Sequence, residues 1–136
     1  IRHKTTVLGT LKHNGVTERM NYITVERVRC MHRMTKLPKS FWSEGASTTC
    51  YLINRSPSVL LYFAIPKEVW SRRKVSYSLL RVFGCKAFAH ISKENRQKLD
   101  DKSTPYIFVG YPDVTFGYKL WDPVNKKMFR SRDVVF

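Results

Sequence analysis

The sequence predicts an α+β protein in which helices come first and a small antiparallel β-barrel follows. Between Val16 and Met34 apolar residues recur at helical spacing; after Tyr77 the period shifts toward two, with turn residues between short runs of β-branched and aromatic side chains. The 136 residues are 43% hydrophobic and 13% aromatic, enough for a real core and against wholesale disorder. That length fits one domain or two small ones. The basic run Ser71-Arg72-Arg73-Lys74 marks the boundary, with a helical unit over residues 1–75 and a barrel over 76–136.

Residues 1–13 are polar and basic, with Val7-Leu8 their only adjacent apolar pair, and read as an irregular lead-in. Asn14-Gly15 is a turn signal that runs into a helix from about Val16 to Lys36. Counting 100° per residue, Val16, Met20, Ile23, Val28, Met31 and Met34 share one side, expected to face the core. Glu18, Tyr22, Glu26, Arg29, Arg33 and Lys36 share the other. Leu37-Pro38-Lys39 ends this helix, because proline removes a donor and disfavours helix in the residue before it. Ser40 is positioned to cap a second helix from Phe41 to about Asn54, apolar around much of its surface and expected to be well buried. Asn54-Arg55-Ser56-Pro57 stops it, and Ile65 to Trp70 reads as a short helix with Pro66 at its first position.

Strands are expected at Leu80–Phe83, Ala87–Ile91, Tyr106–Tyr111, Gly117–Trp121 and Lys127–Phe136. Asp122-Pro123-Val124-Asn125-Lys126 supplies the turn between the last two. So many short strands in about 60 residues suggest a barrel, closed to hide its edges. Phe83, Phe88, Phe108, Trp121 and Phe129 are expected in its core. Tyr111, Phe116 and Tyr118, near turns, either fill the core too or stack on bases. Lys119, Lys126, Lys127, Arg130 and Arg132 make the last hairpin basic, which suits DNA or simply guards an exposed edge.

Twenty-five Lys and Arg oppose ten Asp and Glu, a net charge of +15 and a pI near 10.1. This exceeds what solubility asks of a small domain and points to a polyanion, nucleic acid before an anionic membrane. Residues 1–75 hold fourteen basic and four acidic side chains, and 76–136 eleven and six, so the helical unit is the expected nucleic-acid face. Cys30, Cys50 and Cys85 are odd in number and far apart, and the four histidines lack ligand spacing; zinc is not expected, and reduced thiols are. The longest apolar run, Val59 to Ile65, is too short to span a bilayer, and no membrane partner is expected. Residues 1–4 do not read as a signal peptide, and the initial Ile suggests a piece of something longer.

Asn14-Gly15-Val16-x-Glu18-Arg19-x-Asn21 resembles the end of the integrase catalytic core in copia-type LTR-retrotransposon Pol polyproteins, most of all the plant Tnt-like kind. The likeness continues in the family's order through Leu37-Pro38-Lys39-Ser40-Phe41-Trp42, Tyr51-Leu52-Ile53-Asn54-Arg55-Ser56-Pro57, Val82-Phe83-Gly84-Cys85, Phe108-Val109-Gly110-Tyr111, Gly117-Tyr118-Lys119-Leu120-Trp121-Asp122-Pro123 and Ser131-Arg132-Asp133-Val134-Val135-Phe136. The resemblance implies the helical remnant of an RNase H-like core followed by an SH3-like barrel. It implies a parent that inserts element cDNA into host chromosomes, in the nucleus, with cDNA ends, host target DNA and the rest of the polyprotein as partners.

Such enzymes resemble other polynucleotidyl transferases, in which two Asp and one Glu hold two Mg²⁺ or Mn²⁺ ions. Hard cations need carboxylate oxygens, and a paired site clamps the attacking and leaving oxygens. Glu18 matches the family's last carboxylate, as catalytic and metal-binding residue, in a first helical turn where the dipole favours an anion. It is the first acidic residue of the chain, and the first Asp is Asp100, so both upstream Asp partners are lacking. The chain alone is expected neither to bind the metal tightly nor to cut or join DNA. Asn14, Arg19 and Asn21 match positions beside the carboxylate, although sequence alone favours capping for Asn14. Arg29, Arg33 and Lys36 read by spacing as a solvated face with a Glu26–Arg29 pair; the resemblance turns them into a rail for phosphates. Leu11, Tyr22 and Ile23 depart from the family's Pro, Arg and Thr. A domesticated, non-enzymatic binding or assembly module and a pseudogene product are the alternatives.

Overall fold

Helix α1 (Gly15–Met34) starts one residue before its expected span and stops two residues short of it, with Glu18 in the first turn and His32 and Arg33 in the last, complementary to the helix dipole. The computed structural model describes residues 15–91, 96–99, 101–111 and 117–136. After Pro38 one 3-10 turn, Lys39–Phe41, leads into α2 (Trp42–Ile53). Ser40 does not cap α2. It lies inside the 3-10 turn, and no side chain caps the helix. A second 3-10 turn, Val59–Leu61, precedes the short α3 (Pro66–Ser71), with proline at its start as expected.

The two long helices cross at Gly45, where a Cβ would stand 3.1 Å from Val28 Cγ1 and 3.4 Å from His32 Nε2. Val28 is fully buried there. The rest of the stripe is less covered than expected: Val16 is 73% and Met34 82% exposed, and Met20 is exposed too. Periodicity places these residues on one face, but α2 is too short to cover all of a 20-residue helix about 30 Å long. On α2 the buried residues are Gly45, Thr48 and Thr49, whereas Trp42 and Cys50 are exposed, so close approach rather than bulk selects its inner face.

Five strands form one antiparallel sheet: β1 (Lys86–His90), β2 (Ser103–Gly110), β3 (Tyr118–Asp122), β4 (Lys127–Ser131) and β5 (Val134–Val135), in the order β4-β3-β2-β1-β5. The edge strands β4 and β5 are separated in sequence by Arg132 and Asp133 alone, so the sheet must curl until its two edges nearly meet. Lys127–Phe136 is therefore two strands, not the one expected. Leu80–Phe83 forms no strand; it is a turn segment in which Leu80 N–H donates to Tyr77 O and Cys85 N–H to Val82 O.

On β1 the inward positions belong to Ala87 and Ala89, which puts Phe88 outward and 41% exposed, contrary to expectation. Ala87, Ala89, Phe108, Tyr111 and Leu120 form the barrel core. Trp121 and Phe129 are half-buried against the buried clusters. A neighbouring cluster unites Leu37 and Phe41 from the helical side with Phe83 and Val109 from the sheet side, and Met31 packs on it. The core thus runs across the Ser71–Lys74 linker.

Candidate functional site

The polar face of α1 divides into two parts. Glu18, Arg19 and Asn21 stand exposed on its first turns, and Gly15 has open space around it. Asn14 lies outside the described residues. Eleven residues on, about 16 Å along the axis and nearly in line with Glu18, Arg29 donates to Glu26 Oε1 at 2.6 Å. Both side chains are well exposed, which limits such a pair to tenths of a kcal/mol.

Arg29 and Arg33 line a groove of about 520 Å³ with His32, Leu37, Lys39 and Trp42. The cations come from the last turns of α1 and the 3-10 turn, and Pro38 folds the chain so that they converge. Arg33 and Lys39 have no carboxylate partner among the described residues, and Trp42, which lines the groove with them, is 44% exposed. An exposed indole among cations can take a base on its face while the cations hold the flanking phosphates. Lys36, expected on the helix, lies two residues past its end at Met34, is exposed and does not line the groove. Lys39 and Trp42 were missed as site residues because the signal that groups them is the turn at Pro38, not helical spacing.

The residues present do not fit a two-metal centre. Glu18 stands in solvent, and among the described residues no three His, Cys, Asp or Glu side chains converge as a metal would need. Asp122 caps the β3–β4 turn instead. Its carboxylate accepts from Asn125 Nδ2 at 2.8 Å and from the backbone N–H groups of Val124 and Asn125, which holds its pKa below the usual carboxylate value.

The two described tyrosines with a possible stacking role fill the core. Tyr111 is buried, donates to Arg81 O at 3.0 Å and accepts from Arg81 N–H at 2.7 Å; burial raises its pKa. Half-buried Tyr118 donates to Leu79 O. Phe116 lies outside the described residues. All three cysteines are free, and the half-buried Cys85 thiol is pushed up, mainly by desolvation, which makes it a poor nucleophile. No described helix is long and apolar enough to cross a membrane.

The Retroviral polymerase SH3-like domain family matches residues 85–136, which begin one residue before β1. The whole chain is 68% identical to the Retrovirus-related Pol polyprotein from transposon TNT 1-94 of Nicotiana tabacum and spans 10% of its length. It is 33% identical over its full length to the Retrovirus-related Pol polyprotein from transposon RE1 of Arabidopsis thaliana, spanning 9% of that protein. Over 91 residues, 65% of this chain, it is 42% identical to Uncharacterized mitochondrial protein AtMg00710 of Arabidopsis thaliana and covers 76% of it. The chain therefore spans about a tenth of the length of the Pol polyproteins it matches. No solved structure gives a significant match.

Proposed function

Because the chain belongs to the family of retrovirus-related Pol polyproteins from transposons, we propose that it is a DNA-binding part of the integrase region of a copia-type polyprotein. The parent protein inserts element cDNA into host DNA in the nucleus, with Mg²⁺ or Mn²⁺ as its cofactor. The helical unit is the end of the RNase H-like core, and Glu18 is its last metal carboxylate. In this chain by itself Glu18 has no partners of the right kind, so the chain binds DNA without cutting or joining it.

The observation that supports the reading is the convergence of Arg29, Arg33, Lys39 and Trp42 on one groove, in a chain with a charge of +15. Cations held in a groove release counterions from a phosphate backbone. The affinity then falls linearly with the logarithm of salt concentration, with a slope of roughly 0.7–0.9 per phosphate contacted. Fluorescence anisotropy of labelled DNA between 50 and 200 mM salt tests this. Binding that ignores ionic strength would refute the proposal.

A further inference from the structure

A second basic surface, which shares no residue with the α1 groove, lies between α2, α3 and the linker. Two adjoining grooves of about 590 and 340 Å³ share Tyr51, Arg55 and Lys67 and so form one continuous path. Arg55, Lys67, Arg73 and Lys74 line it, and no carboxylate does. The one acidic residue of α3 is tied elsewhere: Glu68 Oε1 accepts from Val75 N–H at 2.8 Å.

The path is held in shape. Lys67 N–H donates to Asn54 O at 2.9 Å, which pins the start of α3 to the end of α2. Tyr77 Oη donates to Arg55 O at 3.1 Å, which brings the linker to the same point. Arg72, left-handed at φ 53°, turns the chain at the end of α3 while its N–H bonds to Glu68 O. The linker thus folds back and presents Arg73 and Lys74 to the groove. Arg55 is fixed by a bond to Tyr51 O and by its seat 3.3 Å from the Tyr51 ring centroid, with further guanidinium donors remaining for a ligand.

At the outer end stands Trp70, 80% exposed, with no ring stacked on it among the described residues. Four cations along a path that ends on a bare indole match a strand whose phosphates follow the cations and whose unpaired base lies on the ring. A duplex keeps its bases stacked inward and offers none to Trp70. We propose that this α2–α3–linker groove binds a single-stranded DNA segment, a second site within the DNA-binding reading above and dependent on it.

The test uses the intact chain, a labelled 20-nucleotide single strand and the blunt duplex of the same sequence. The triple variant Lys67→Gln, Arg73→Gln, Lys74→Gln should weaken single-strand binding about tenfold or more and flatten its salt slope by roughly two. Arg29→Gln with Arg33→Gln should affect the single strand less than the triple variant does. Trp70→Ala should cost about five- to tenfold on the single strand and under about twofold on the duplex, with Trp70→Phe retaining most of the affinity. Circular dichroism and melting of each variant confirm that these exposed substitutions leave the fold intact. If the chain binds DNA in a salt-sensitive way but the triple variant binds single strands normally, the groove assignment is wrong and the broader reading stands. If the wild-type chain shows no salt-sensitive DNA binding, both fail.

Discussion

Tyr51 of α2 and Tyr111, just past β2, lie face to face, with ring centroids 4.0 Å apart and planes within 10°. The Arg55 guanidinium sits over Tyr51 at 3.3 Å, necessarily on the face that Tyr111 leaves open. A cation, two aromatic rings and the backbone of Arg81 thus form one column from the helical unit into the barrel.

Tyr111→Phe keeps the ring and removes its hydroxyl, so Arg81 loses a partner for both its backbone N–H and its carbonyl. The expected cost is about 1–3 kcal/mol. Thermal denaturation should show the melting point lowered by several degrees, while Tyr111→Phe retains the far-ultraviolet signature of the folded chain.

The same hydroxyl predicts an alkaline limit. Burial raises its pKa above 10.0, with the Arg81 N–H bond opposing in part. A raised value in the folded state means that the unfolded chain deprotonates first. Stability from this group is therefore complete below pH 10 and is lost as pH climbs from there through the folded-state value. Urea unfolding across pH 9–11 should show the decline, and Tyr111→Phe should lack this component.

At the acid end the group is Asp122, whose pKa is lowered first by the Asn125 side chain and then by the Asn125 backbone N–H. Its contribution is present above pH 3.8 and is lost as pH falls through the depressed value. Proton exchange at the Val124 and Asn125 amides should quicken over that window, before the β3 and β4 amides do.

Gly84→Ala should be strongly destabilising. Gly84 has φ +80°, and a Cβ there would meet Thr35 Cγ2 at 2.2 Å and Thr35 Cβ at 2.8 Å. Left-handed strain and overpacking together cost about 2–5 kcal/mol. Thr35→Ala in the same chain removes the closer atom and should recover part of the loss, measurable as a coupling in a double-mutant cycle.

Tyr62→Asn should do the opposite. Tyr62 is left-handed at φ 51° and almost wholly exposed, so its ring contributes strain without burial. Asparagine tolerates that conformation, and the substitution should raise stability by up to about 1 kcal/mol. It should also reduce aggregation, since Val59, Leu60 and Phe63 bare further apolar surface beside it.

Much of this was legible in the residues alone. The period of the apolar positions located α1 and four of the five strands, though it also suggested a strand at Leu80–Phe83 that does not form; Pro38, Pro57 and Pro66 bracketed α2 and marked the start of α3. Helical spacing aligned Glu18 with Arg29 and Arg33. It did not reach Lys39 and Trp42, which join Arg29 and Arg33 only because Pro38 folds the chain across the end of α1.

By itself the sequence determined the order of the elements, the excess of positive charge, the solitary carboxylate before residue 26 and the resemblance to a family; all of these are properties of residue type and local spacing. Tertiary structure alone decided that Val28 is covered while Val16 and Met34 are bare, and that Ala87 and Ala89 take the inward places beside an exposed Phe88. It decided too that the last strand breaks at Arg132-Asp133 to pair with β1, and that the linker folds back on α3. Period says which side chains share a face. Whether that face meets water or another element depends on residues tens of positions away, and local spacing carries no trace of them.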